Sequence, residues 1–169
     1  EYADEKTALA MEDIGEDGRV GHEVLSEILE KMGLTFNINV YLAEPSRPNE
    51  DAPWLLDVSG RDLDGLIGRR GDTLASLQYI TRLIASRRLQ RRANIVVDVS
   101  GYKSKRSDRL RQLAKRMADQ AVAQGRTVSL EPMPPNERRI IHLTLRSRDD
   151  VSTKSTGEGN ARKVMIIPK

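Results

Sequence analysis

Gly68-Arg69-Arg70-Gly71 and Arg138-Arg139-Ile140-Ile141-His142 are the two places in this 169-residue chain where residue type and spacing suit a chemical task. Glycine lets a main chain approach a bulky ligand with no Cβ in the way. Behind Gly71 the apolar run Leu74, Leu77, Ile80, Thr81, Ile84 repeats at three- and four-residue spacing, which predicts a helix starting just after the glycine. The first amides of such a helix lack intrahelical acceptors and sit at the positive end of the macrodipole, so they favour anions. Arg69 and Arg70 add guanidinium forks that can hold a phosphate through two parallel hydrogen bonds. A Gly-x-x-Gly turn entering a helix therefore suits a sugar-phosphate backbone. Ile67, Leu74 and Leu77 are candidates for an apolar groove beside it. The same residues would also serve as an ordinary tight turn and an ordinary core.

Arg138 and His142 are four residues apart and share one face of a helix a single turn from each other. The arginine can fork onto a phosphate, and the imidazole can donate a hydrogen bond to it or stack on an unpaired base. The bland alternative is a surface arginine over a partly buried histidine. Pro132, Pro134 and Pro135 lead into this helix, and Asn136 is predicted to cap it. Further cations are candidates by charge. Arg106 and Arg109 belong to a basic run with Lys103, Lys105, Arg111, Lys115 and Arg116, while Lys154 and Arg162 fall on neighbouring strands or loop. Arg87, Arg88, Arg91 and Arg92 exceed what the end of one helix needs to offset its dipole, so nucleic-acid contact is a second reading for them.

The formal net charge of +3 conceals a division: residues 1–60 carry 14 acids against 4 Lys/Arg, and residues 61–169 carry 11 against 24. Such polarity points to an anionic partner for the later part. There is no apolar run long enough to span a bilayer, and no basic interfacial helix with aromatic anchors, so stable membrane insertion is not expected. Cysteine is absent and only His22 and His142 could offer imidazole, which argues against zinc and against any metal or cofactor. No Gly-x-Ser-x-Gly elbow or Walker loop is present, so binding rather than catalysis is expected. Arg70-Gly71-Asp72 matches an integrin tripeptide only as a by-product of the glycine turn.

Residues 1–18 hold seven acids against one lysine and read as a flexible acidic extension in which Leu9, Met11 and Ile14 dock weakly. Val20 to Met32 has a helical stripe ending at Gly33, Thr35–Leu42 alternates like a half-buried strand, and a proline-rich loop leads to strands at Trp54–Ser59 and Ala93–Ser100. Between those two strands come one turn of helix, the glycine turn and the main helix to about Ser86. A second set of elements follows. A helix over Ser104–Gln124 buries Leu110, Leu113, Ala114, Met117, Ala121 and Val122, and is followed by a short strand at Thr127–Leu130. Next come the Arg138 helix to about Ser147 and two strands joined through Gly157–Asn160.

The order helix, strand, strand, helix, glycine turn, helix, strand resembles the type II K-homology (KH) fold, and "LIGRRGDTLASLQYITRLIASR" resembles its nucleic-acid-clamping segment. "LEPMPPNE", Arg138, His142 and "VSTKSTGEGNARKVMI" together resemble the small R-3-H domain, named for an arginine and a histidine with three residues between them. A KH module followed by this domain is similar to the C-terminal architecture of the Jag (SpoIIIJ-associated) family. Beyond the acidic extension at 1–18, which composition marks, the resemblance implies an α+β chain with a KH domain at 19–100 and an R-3-H domain with its leading basic helix at 101–169. It implies single-stranded RNA as ligand, with Gly68, Arg69, Arg70, Gly71, Arg138 and His142 on the binding faces. It also implies a cytoplasmic role in post-transcriptional control linked to envelope growth or division, and pairing with a KH-only protein or with a second copy. Many family members carry a further N-terminal domain, which is not expected in this sequence. Single-stranded DNA binding and a protein–protein adaptor role are the alternatives.

Overall fold

Parallel pairing of two strands dictates the first half of the molecule. Strand β2 (Trp54–Gly60) runs parallel to β3 (Ile95–Val99), with Trp54 opposite Ile95 and Val58 opposite Val99. Parallel neighbours cannot be joined by a hairpin and need a crossover. Here the crossover is α2 (Asp64–Ile67), a 3-10 turn at Arg69–Gly71 and α3 (Asp72–Leu89). Strand β1 (Phe36–Leu42) pairs antiparallel with the other side of β2, giving the order β1-β2-β3, and α1 (Glu16–Lys31) packs on α3 and the sheet. The core joins Val24, Leu25 and Leu29 of α1 to Leu74 and Leu77 of α3 and to Leu56, Val58, Ile95, Val97 and Val99 of the sheet. The computed structural model describes residues 9–45 and 48–169. It divides into one unit that ends at Tyr102 and another running from Lys103 to Lys169.

The chain is α+β, and the predicted order of elements is observed. Gly33, at φ +72°, ends α1 as expected, its N–H donating to Glu30 O at 2.9 Å while Leu34 N–H reaches Leu29 O. The acidic extension differs from expectation. Residues 1–8 lie outside the described residues, as do Ser46 and Arg47. From Leu9 onward the chain is part of the fold: Leu9 N–H donates to Val40 O on the open edge of β1, and Ile14 is buried. Helix α1 begins at Glu16, inside the stretch expected to be flexible, because Gly18 and Gly21 bring its backbone against Trp54 and against Leu56 and Ile95. Asp17 is buried too. It pairs with Arg91 and accepts the Asn94 N–H at 2.6 Å, and Arg91 above all holds its carboxyl below the usual range. Composition marks these acids as solvating; their partners lie more than seventy positions away.

The second unit opens with α4 (Tyr102–Gln124), whose first residue still belongs to the first unit. Strands β4 (Val128–Ser129), β5 (Val151–Thr156) and β6 (Lys163–Pro168) form an antiparallel sheet in the order β4-β6-β5, and α5 (Pro135–Leu145) packs on β5 and β6. The buried face of α4 is Leu110, Ala114, Ala118 and Ala121. Val122, predicted as core, is exposed, and Leu113 and Met117 are half-buried. The inward line of α4 thus runs through one leucine and three alanines, so burial there follows position on the helix and not side-chain size. Helix α5 starts at Pro135 rather than being capped by Asn136. Proline at the first helical position lacks only an N–H that would have no intrahelical partner. No helix among the described residues is long and apolar enough to cross a membrane, and they contain no group of three or more His, Cys, Asp or Glu able to hold a metal.

Candidate nucleic-acid interface

The glycine turn owes its shape to two positions. Gly68 has φ 68° and ψ −171°, a region essentially closed to other residues. A Cβ there would overlap Thr73 Oγ1, 2.8 Å from Thr73 Cβ and 3.0 Å from its backbone nitrogen. Gly71 is left-handed at φ 86°, with a Cβ placed 3.0 Å from Cε1 of Tyr102. Between them Arg70 is also left-handed (φ 56°). The chain enters α3 with no side-chain cap on its first amides. Arg69 is exposed and Arg70 half-buried. An amide terminus without a side-chain cap, a turn that excludes Cβ atoms and at least one solvent-facing guanidinium meet at one point, which is the chemistry of an anion site.

The groove beside the turn is not built as predicted. Leu74 is 2 % exposed and Leu77 lies in the same core, so neither is available to a base, while Ile67 is half-buried against that core. Ile80, expected in the buried stripe, is 47 % exposed; Thr81 takes the inner position, its hydroxyl donating to Leu77 O at 2.8 Å. Two polar residues that sequence reasoning missed face β3 instead. Arg82 Nη2 donates to Ile95 O at 3.1 Å, and Gln78 Oε1 accepts the Val97 N–H at 3.2 Å. They satisfy the outer edge of a strand that would otherwise show bare peptide groups. Arg82 also lines a cleft of about 500 Å³ with Arg92, Asn94, Ile95, Asn49 and Asp51. Of the arginines in the last turn of α3 and just beyond it, Arg88 forks onto Glu27 at 2.9–3.1 Å and Arg91 pairs with Glu16 and Asp17. They tie α3 to α1. Arg87 and Arg92 are exposed.

In the second unit α5 and β5 bring Arg138 and His142 to a pair of hydroxyls. Arg138 Nε donates to Met133 O and Nη1 to Ser155 Oγ, both at 3.2 Å. His142 Nδ1 lies 2.7 Å from Thr153 Oγ1 and its Nε2 lies 2.9 Å from Ser155 Oγ. Ser155 thus joins the two residues of the motif, a role that strand periodicity could have flagged, since Thr153 and Ser155 alternate toward one face. Both motif residues are half-buried, held by the protein yet open on one side. Lys154, between the hydroxyls, points to the other face of the sheet and does not join them. Arg162 is exposed, and its carbonyl accepts the Met133 N–H at 3.1 Å. Arg109 is exposed on α4.

Burial first, and the Arg138 charge second, hold the His142 pKa below the ordinary histidine value. The folded state therefore binds that proton less readily than the unfolded chain does. The stability tied to neutral His142 is complete above the unfolded value of about 6.5 and is lost as pH falls below that value and through the lower folded one. Urea midpoints measured from about pH 8 to about pH 5 should decline more in the native chain than in a His142→Gln variant. Parallel profiles would show that the histidine titrates as it does in water.

Arg106, predicted to touch nucleic acid, is committed elsewhere. Its Nε and Nη2 fork onto both oxygens of Glu137 at 2.8 and 2.9 Å, and Glu137 is only 4 % exposed. Removing one partner of a buried pair leaves a desolvated charge, at about 3–5 kcal/mol when fully enclosed. Arg106 keeps some contact with water, so Arg106→Ala is expected to cost about 2–3 kcal/mol, read as a lower urea midpoint. Replacing both residues by apolar side chains of similar volume should recover much of the loss.

The R-3-H domain family matches residues 108–168. A protein of Clostridium symbiosum named RNA-binding protein KhpB is 35% identical over 147 residues, 87% of this chain and 64% of that protein. The Bacillus subtilis protein of the same name is 40% identical over 114 residues, 66% of this chain and 55% of the relative. That of Lactiplantibacillus plantarum is 30% identical over 144 residues, 85% and 42% respectively. The chain thus spans less than two thirds of each of these relatives. The R-3-H family match over the Arg138–His142 site, and relatives whose matched stretches include the glycine turn, make the chain similar to the Jag family of R-3-H-domain proteins.

Proposed function

We propose that this chain binds single-stranded RNA without cleaving it, through the Gly68–Gly71 turn and the Arg138/His142 site. The observation that carries the reading is the α5–β5 site, where Arg138 and His142 are oriented by Ser155 and Thr153 within the R-3-H domain. The names of the relatives support RNA over single-stranded DNA. The unit that ends at Tyr102 acts as a type II KH module, its turn holding the phosphate backbone while bases lie toward α3 and β3. Gln78 and Arg82 stand there in place of an apolar groove. Aromatic platforms are few, so bases are read by hydrogen bonds and groove shape. Two sites on one chain raise each other's effective concentration, so each alone binds more weakly than both together. The protein acts in the cytoplasm in post-transcriptional control linked to envelope growth or division.

Titrating labelled single-stranded RNA at several salt concentrations tests this. The logarithm of the association constant is expected to fall with the logarithm of salt by about 0.7 per phosphate contact, a total of several contacts, and the RNA should stay full length with magnesium present. A flat salt profile would refute a backbone-gripping mode. One surface favours a protein partner as well. Tyr79, Ile80 and Leu83 leave an apolar patch on α3, exposed by 68, 47 and 57 %, of a kind suited to a second copy or a KH-only protein.

A further inference from the structure

We propose that the strand engaged by Arg138 and His142 continues along the outer side of α5, over Arg146, Arg139 and Leu143. The proposal rests on the RNA-binding reading of the R-3-H site and extends it to three residues that the motif does not include. At about 100° per residue, Arg138, His142 and Arg146 form one line along the helix at four-residue steps, each displaced by about 40° from the last. Arg139 and Leu143 form the adjoining line. The five side chains therefore cover a continuous arc that begins at the half-buried motif and ends in solvent, rising about 12 Å from Arg138 to Arg146.

Charge selects the occupant. The one acid of α5 is Glu137, which is turned inward and neutralised by Arg106, so the arc carries cations and no carboxylate. Among the described residues neither the Arg139 nor the Arg146 guanidinium has a hydrogen-bond or ion-pair partner; both side chains are exposed. Asp149 and Asp150 follow Arg146 in sequence, and Asp150 is already held by Arg148 at 2.6 Å. Leu143 is 53 % exposed between the two arginines, one turn after Arg139 and three residues before Arg146. A lone exposed leucine means little. Flanked by two uncommitted arginines and next to the motif histidine, it forms an apolar step between phosphate anchors, suited to the face of a ribose or base. A polyanion carrying flat apolar groups at regular intervals fits this order of cation, leucine, cation.

Arg146 at the carbonyl end of α5 also complements the helix dipole. The experiment must separate that role from binding. Single-stranded RNA is titrated at several salt concentrations against the full chain carrying Arg139→Ala and Arg146→Ala together, Arg139→Lys and Arg146→Lys together, Leu143→Asp, or Arg138→Ala with His142→Ala. The alanine pair is expected to bind about tenfold more weakly near 0.1 M salt, with a salt slope shallower by about 1.4, two contacts at roughly 0.7 each. The lysine pair should keep the native slope, and Leu143→Asp should weaken binding with its melting temperature unchanged. Native affinity and slope in the alanine pair overturn the extended path; if Arg138→Ala with His142→Ala still weakens binding, the underlying R-3-H reading survives. Native affinity in that last variant as well removes the reading on which the proposal stands.

Discussion

With Arg69 and Arg70 both replaced by aspartate, single-stranded RNA is expected to bind about 100-fold more weakly at low salt, while the chain unfolds at nearly the same urea concentration. The first half of that expectation follows from the strength of charge-assisted hydrogen bonds, about 1.5–3 kcal/mol each. Losing two such bonds exceeds the roughly 2.7 kcal/mol that corresponds to a factor of 100. Two carboxylates facing a phosphate add repulsion, which salt screens, so the deficit should shrink as ionic strength rises. The second half follows from geometry. Arg69 is exposed, and Arg70 occupies a left-handed conformation that aspartate tolerates better than most residues. Titration of labelled RNA against both chains, paired with urea unfolding, measures the two halves separately. A large fall in stability would mean that the arginines hold the turn together.

Gly68→Ala is the reverse case, in which a small change strikes the fold. The residue would have to adopt φ 68°, ψ −171° with its Cβ driven into Thr73. Strain in that region is about 1–3 kcal/mol, and the collision with a backbone nitrogen adds to it, for a total on the order of 3 kcal/mol. Thermal or urea unfolding should register that loss, and RNA affinity should fall with it because the entry to α3 must rearrange. Gly71→Asn is expected to be milder. That position is simply left-handed, a conformation asparagine accepts, and the nearest obstacle is the edge of the Tyr102 ring. Equal stabilities for Gly68→Ala and Gly71→Asn would show that the turn is less constrained than its dihedrals imply.

Local pattern is a good guide where structure is decided locally. The start of α3 behind Gly71, the end of α1 at Gly33 and strand β6 at Lys163–Pro168 lie where glycine, periodicity and alternation put them. What escapes it is decided by partners far along the chain. Arg88 and Arg106 look the same in sequence as Arg69, yet Glu27 and Glu137 claim them across 61 and 31 residues. Thr81 lies one turn beyond Leu77 and two beyond Leu74 and so falls within the buried face of α3, whereas Ile80, about 100° round the helix from it, falls outside despite its apolar side chain. On α4 bulk is a misleading mark of burial, because the inward line runs through three alanines while Leu113, Met117 and Val122 stand beside it. At the motif itself the histidine and arginine are legible, and strand alternation puts Ser155 and Thr153 on one face, but that this face meets Arg138 and His142 is decided by the packing of α5 on β5.

The central claim is that two cationic sites on this chain grip one class of ligand, a single-stranded polyanion. It is tested most directly by titrating labelled single-stranded RNA against a chain in which Arg69 and Arg70 are aspartate and Arg138 and His142 are alanine. Binding reduced to the non-specific level at about 0.1 M salt, with folding retained, is the predicted result. Native affinity in that variant would contradict the account.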